Sequence, residues 1–472
     1  MYPQYLLRKV YDVSPAFVRR TVGGVLGCVP ATVRYGPPFA RIWRLLHESD
    51  RWDEERLAQF RLEELRALLT YAGERVPYYR ELFRRIGMRP ASIQSLDELT
   101  QLPLLTRDMV RELGRELLAE GVPERSYKVS TTAGTSGKPL GFCVTYDASA
   151  AEWAFMLRNW EYAGFKPGNK RAVLRGGLIR GRTNGRLWEY DPVNQALHFS
   201  SFDLNEANLA RYVKKMRDYR PEFLHAYPSS ATLLAQYLLQ SGEKLPGLRG
   251  VLIGSENVYP VQREFLASAF GCRVFSWYGH SEKCILAGEC ERSSQYHIVP
   301  EYGIVELVDA AGQPVRLPGQ RGQLVGTGFI NRATVFVRYL TDDEAEWSPE
   351  PCSCGRISPR IRSVRGRWHQ EMLVGRSGAL ISMTAINLHT SVYTRMRQFQ
   401  FHQDTPGEAT LRIVKTPDYT DADEKAILAE LMPKCAREIK LHIEYLAQIP
   451  TTASGKFKFI DQRMTISYPA WN

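Results

Sequence analysis

The sequence contains no run of about 18 apolar residues, so a membrane-spanning helix is not expected. Its start does not read as a signal peptide: the apolar stretch 22–29 is short and follows Arg19 and Arg20. Eight cysteines scattered over 472 residues are too sparse for a disulfide framework and point to a reducing cytoplasm. Internal repeats and low-complexity segments are missing. Basic and aromatic residues do not cluster on a recognisable module, so no nucleic-acid partner is expected. A Walker loop needs four residues between its glycines and a Ser or Thr after its lysine, and that pattern is missing too, which excludes a kinase-like NTPase.

What is present reads as a soluble globular chain, 44% hydrophobic and 24% charged. Its length calls for two or three domains. A net charge of +11 favours acidic ligands such as nucleotides. Residues 1–52 read as a basic arm, with Arg8, Lys9, Arg19, Arg20, Arg34, Arg41 and Arg44 near its aromatic and aliphatic side chains. Such an arm either grazes an anionic membrane surface or packs against the body of the protein.

Leu57, Phe60, Leu65, Leu68 and Leu69 fall at helical spacing, which predicts a helix from Asp53 to Ala72, ended by Gly73 and Pro77. From about 125 to 280, short β-rich runs (173–175, 250–253, 273–278) alternate with helical patterns such as 230–240. This predicts a layered α/β domain over 53–366. Residues 303–329 read as antiparallel strands around a turn at Ala311–Gly312. A smaller α+β unit is expected over 367–472, with a helix at 421–437 and a strand at 439–446.

Thr131 to Lys138 pack Thr131, Thr132, Gly134, Thr135, Ser136, Gly137 and Lys138 into one short stretch. Glycines allow a close backbone approach, while hydroxyls and a mobile cation suit a polyphosphate; an ordinary surface loop is the plain alternative. Gly254-Ser255-Glu256 follows an apolar strand. So does Tyr278-Gly279-His280-Ser281-Glu282, where an aromatic could stack on a base, a hydroxyl bond a phosphate and an acid hold Mg²⁺. Arg338 to Asp343 places acids beyond another strand, suited to the two hydroxyls of a ribose. A capped or solvated turn would explain each of these equally simply.

Their order is more telling. The Thr/Ser/Gly–Gly-Lys loop, GSE, YGHSE, RYLTDD, the Gly366-Arg367 pair and a terminal SGK resemble the adenylate-forming acyl-CoA synthetases and ligases, over about residues 50 to 460. ERVPYYRELF and LPLLTRD resemble the phenylacetate–CoA ligase branch, and YGHSEKCILAGEC, CSCGR, GRSGALIS and QFQF its CapK-type members associated with capsular polysaccharide. The resemblance implies a large N-terminal domain and a small C-terminal lid. It implies ATP and Mg²⁺ as cofactors, a small carboxylic acid as substrate, and CoA or an amine as acceptor. It also implies that residues 131–138 cover the β- and γ-phosphates and that Gly254, Ser255 and Glu256 line the adenine pocket. Tyr278 would pack on adenine beside Gly279, Ser281 contact phosphate, Glu282 bear on Mg²⁺, Asp343 hold the ribose, Arg367 lie at the hinge and Lys456 reach the α-phosphate. Two positions depart from the family pattern: Leu140 replaces a lysine after the loop, and His369 replaces an acid or lysine at the hinge. A non-catalytic scaffold relative is the alternative.

Two further sets stand out. Cys290, His297, Cys352 and Cys354 offer thiolate and imidazole ligands for a structural Zn²⁺, or are inert buried thiols beside a surface histidine. Arg175, Arg180, Arg182 and His280 suggest a polar or aromatic acid in place of a long-chain fatty acid, because unpaired guanidinium groups do not line an apolar tunnel.

Overall fold

The structure, a computed structural model, describes residues 14–132, 140–349, 351–366, 372–386, 395–435, 437–449, 460–462 and 464. Contacts divide the chain into two units. One comprises Met1–Ser130, Gly141–Pro167 and Trp277–Gly366; the other comprises Thr131–Leu140, Gly168–Ser276 and Arg367–Asn472.

In the first unit, helix Glu54–Arg75 starts where the Asp53 carboxylate accepts the Arg56 N–H at 2.8 Å. Its leucine stripe is buried as the spacing requires. The helix runs three residues beyond its expected end, through Gly73. A Cβ at residue 73 would stand 3.0 Å from Phe83 Cδ2, so the glycine lets Phe83 lie against the helix without breaking it. Pro77 opens the next helix, Pro77–Ile86, where its missing N–H is no loss.

The described part of the basic arm forms helices Ala16–Cys28, Ala31–Arg34 and Gly36–Ser49. Gly36–Ser49 packs on helix Tyr146–Glu161 and buries Phe39, Ile42 and Leu46. His47 lies 3.6 Å from Glu161, and Asp50 pairs with Arg158. Among the described residues no helix is long and apolar enough to cross a membrane.

The strands of this unit are antiparallel, in the order Gly303–Val308, Arg321–Gly328, Tyr339–Trp347, Arg360–Arg365, Tyr296–Ile298, Leu286–Gly288 and then Trp277 to Gly279. Strand Tyr339–Trp347 continues past the acidic pair, so Asp342 and Asp343 lie within a strand and not beyond one.

The second unit carries a parallel sheet in the order Gly250–Gly254, Phe223–Ala226, Arg171–Leu174 and Ala196–Phe199, with Trp188–Asp191 antiparallel at the edge. Helices Glu206–Tyr219, Pro228–Ser241 and Pro260–Phe270 bury their apolar stripes in one core with this sheet. Residues after 372 add a four-stranded sheet in the order Lys440–Tyr445, Glu408–Lys415, Met396–Gln403 and Ile460–Gln462. Alternation buries Ala409, Leu411 and Ile413 against Ile427 and Leu431 of helix Asp421–Cys435.

Candidate active site

Strand Val274–Gly279 ends in Tyr278 and Gly279, which belong to the first unit. The Tyr278 hydroxyl donates to Asp343 Oδ2 at 2.8 Å. Register shifts where Arg321–Gly328 meets Tyr339–Trp347, and Asp342 takes φ +61°, a conformation aspartate tolerates better than most residues. This bulge sets the Asp343 side chain against Tyr278. Thr341 supports it by donating to Leu324 O at 2.9 Å while accepting the Asp343 N–H at 3.2 Å.

The turn that follows carries His280, half-buried Ser281 and buried Glu282. Glu282 Oε1 accepts from the Tyr339 hydroxyl at 2.8 Å and from Arg107 Nη1 at 3.2 Å. Its Oε2 faces His280 Nδ1 at 3.3 Å. His280 Nε2 is buried without a hydrogen-bond partner among the described residues. Arg107 and Glu282 are only 6% and 3% exposed, so their attraction is weakly screened. Arg107 begins helix Arg107–Leu113, whose N-cap Thr106 accepts the Met109 N–H at 3.3 Å. Both Arg107 and Tyr339 stand inside sequence motifs, LPLLTRD and RYLTDD, but residue spacing does not pair them with Glu282. Arg338 of the second motif is instead a buried tie, bonded to Glu306 at 3.0 and 3.2 Å and to Leu102 O at 2.6 Å.

In the second unit, Gly254 closes its strand and Ser255 adopts φ +72° beyond it. Glu256 accepts the Ser229 N–H at 2.8 Å and the Ser229 hydroxyl at 2.9 Å, at the first turn of helix Pro228–Ser241, where a carboxylate is favoured. Arg175 Nη2 donates to Ser255 Oγ at 2.6 Å. The other two arginines expected near the substrate are engaged elsewhere. Arg182 is buried on Asp203 at 2.7 and 3.2 Å and donates to Pro433 O at 2.8 Å, because a guanidinium taken out of water must be paired. Arg180 sits on the surface, 3.5 Å from Glu189.

Thr131 and Thr132 end strand Tyr127–Thr132, with Thr131 buried. Gly134, Thr135, Ser136, Gly137, Lys138, Arg367, His369 and Lys456 lie outside the described residues.

Cys290, His297, Cys352 and Cys354 converge, with their ligand atoms all within 4.8 Å of one another. Cys290 Sγ is 3.6 Å from Cys352 Sγ, and Cys354 Sγ is 3.6 Å from His297 Nε2. Ser358 Oγ lies 3.0 Å from His297 Nδ1, leaving Nε2 toward the sulfurs. Burial pushes the Cys290 thiol up to about 11. Burial, with Arg356 and Arg360 beside it, holds the His297 imidazole down to about 4. Four soft donors this close could hold one metal ion.

Residues 114–340 match the model of the AMP-binding enzymes, and residues 373–463 match that of the CapK C-terminal domain. A phenylacetate-coenzyme A ligase of Thermus thermophilus is 26% identical, covering 87% of this chain and 95% of its own. Protein CapK of Staphylococcus aureus is 24% identical over 96% of this chain and 99% of its own. A crystal structure of 2-hydroxyisobutyryl-CoA ligase with 2-HIB-AMP and CoA shares the fold, with a TM-score of 0.58 at 19% identity over 88% of this chain and 92% of that one.

Proposed function

The chain belongs to the adenylate-forming, AMP-binding enzymes, in their phenylacetate–CoA ligase-like, CapK-type branch, and on that footing we propose that it joins a small carboxylic acid to CoA through an acyl-adenylate. The observation that carries this reading is the AMP-binding match over residues 114–340, which takes in the loop 131–138, Gly254–Glu256 and Tyr278–Glu282 in one order.

In the first step a carboxylate oxygen bonds to the α-phosphorus of ATP and pyrophosphate leaves. In the second, the CoA thiol attacks the acyl carbon, loses its proton and displaces AMP. Charge grows on the α-phosphate and on pyrophosphate, so fixed donors and cations lower the first barrier. We assign Thr131, Thr132, Gly134, Thr135, Ser136, Gly137 and Lys138 to the β- and γ-phosphates. Gly254, Ser255 and Glu256, with Tyr278 and Gly279, are assigned to adenine, Asp343 to the ribose hydroxyls and Ser281 to a phosphate. Glu282 would hold Mg²⁺ together with phosphate oxygens, since a hard cation needs oxygen ligands and this carboxylate is fixed in place by Arg107 and Tyr339. That ion would neutralise the leaving pyrophosphate. His280, with its buried Nε2, is assigned to a polar atom of a substrate. A C-terminal lid from residue 367 would bring Arg367 and Lys456 to the reacting phosphate only when closed.

Cys290, His297, Cys352 and Cys354 would hold a structural Zn²⁺. Tetrahedral zinc–thiolate bonds separate two sulfurs by about 3.8 Å, near the 3.6 Å between Cys290 and Cys352. We place the protein in the cytoplasm, where these thiols stay reduced. His369 and the CapK C-terminal match favour, as a second reading, transfer to an amine in polysaccharide or metabolite assembly.

Pyrophosphate–ATP exchange across a panel of acids tests the first step. Acid-dependent exchange is expected, and none with any acid would leave the scaffold reading. Product analysis with CoA and with amines then separates the acceptors.

A further inference from the structure

The parallel sheet of the second unit has two unlike faces. Ala172, Leu174, Leu197, Leu224, Ala226 and Val251 enter one apolar core. The residues between them point the other way. There the register sets His198, Val173 and His225 side by side on three adjacent strands, with Arg171 two residues before Val173 on the same face. A parallel sheet covered on both faces is normally apolar on both. This one carries an arginine and two histidines on its second face.

The same face leads to the carboxyl ends of the strands, where open α/β sheets take their ligands. Arg175, Tyr227 and Ser255 follow directly after three neighbouring strands. The Arg175 guanidinium lies 4.8 Å from the centre of the Tyr227 ring while its Nη2 bonds Ser255. Gly176 and Gly177 follow Arg175. A Cβ at residue 177 would stand 3.9 Å from His198 Nδ1, so the glycine leaves that approach open.

Three acids whose charge reaches this group have bonds of their own. Asp191 accepts the N–H groups of Val193 and Asn194 at 3.0 and 3.3 Å. Glu189 pairs with Arg180 and Glu256 with Ser229. Burial holds His225 well below its ordinary value, with Arg175, Arg171 and His198 adding to the effect. The permanent charges of this face are the guanidinium groups of Arg171 and Arg175, beside two imidazoles that burial keeps neutral.

We propose that the acid this ligase activates carries a second oxyanion, a carboxylate or a phosphate, and that Arg175, His198 and His225 receive it. The inference rests on the ligase reading above and narrows its substrate class. A guanidinium offers the forked donors that an oxyanion fits, and the imidazoles add N–H donors beside it.

The test is pyrophosphate–ATP exchange by the full-length protein with paired acids: succinate against butyrate, phthalate against benzoate, and 3-phosphoglycerate against glycerate. In at least one pair the doubly anionic acid should lead by about tenfold or more in kcat/KM. Arg175→Met and His198→Asn should each raise the KM of that acid about tenfold or more, and His198→Asn should leave KM for ATP nearly unchanged. Success with the diacids or with the phosphorylated acid tells the two oxyanions apart. Equal or better turnover of the singly charged partners, or variants that leave the KM of the doubly charged acid unchanged, would overturn the proposal while the ligase reading stood. Should Arg175→Met fail to fold, His198→Asn and the paired acids on the unaltered protein decide. If no acid supports exchange, calorimetric titration of the same doubly charged acids without ATP decides: heat lost in His198→Asn supports the site, and no heat at all removes it.

Discussion

Tyr278 and Asp343 share a hydrogen bond of 2.8 Å across 65 residues of sequence. The residue assigned to adenine therefore holds the residue assigned to ribose, and a nucleoside would meet both as one preset surface. Asp343→Asn weakens a charge-assisted bond to the ribose and should raise KM for ATP by about 10- to 100-fold. Tyr278→Phe should do less alone, and the double variant less than the sum of the two. Strict additivity in a double-mutant cycle on KM for ATP would show that the bond is not coupled to binding.

Arg107 and Glu282 form a buried pair. Arg107→Met strips the partner from a buried carboxylate and should destabilise the protein by about 3–5 kcal/mol. Thermal melting would record this as a clear drop. Glu282→Gln keeps the shape but leaves the buried Arg107 charge without its anionic partner, so it too should melt earlier; assayed well below that melting point, the magnesium concentration giving half-maximal exchange should rise. A Glu282→Gln enzyme with unaltered magnesium dependence would remove that residue from the metal role.

Lys456→Ala should lower acyl-adenylate formation by roughly 10²- to 10³-fold, because a lid cation acts only on the closed state. ATP binding, followed by calorimetry, should persist. Exchange at the parental rate would exclude the assignment.

One zinc per chain is expected in freshly purified, reduced protein, by elemental analysis. Four protein ligands leave no open position, so the metal should serve stability and not turnover. Cys290→Ser and Cys354→Ser should each lose the zinc and melt earlier. Metal-free protein with the parental melting point would refute the site.

Local pattern decided much of this molecule in advance. Leu57 to Leu69 announced a buried helical stripe, the runs at 173–175, 250–253 and 273–278 overlap the strands Arg171–Leu174, Gly250–Gly254 and Val274–Gly279, and the order of the loop, GSE, YGHSE and RYLTDD carried the family. Such features are written in spacing and residue type over a few neighbours, which a linear reading can follow. Partnership between distant residues is not written there. Sequence alone read Arg175, Arg180 and Arg182 together as marks of a polar acid and put Arg175 with His280 in the substrate pocket; folding sent Arg182 onto Asp203, left Arg180 on the surface and set Arg175 beside Ser255. It also made Arg107 the partner of Glu282, 175 positions away, and drew Cys290, His297, Cys352 and Cys354 together. The physical reason is the same in each case. A buried charge or thiol takes its energy from whatever the chain brings within a few ångströms, and only tertiary packing chooses that neighbour.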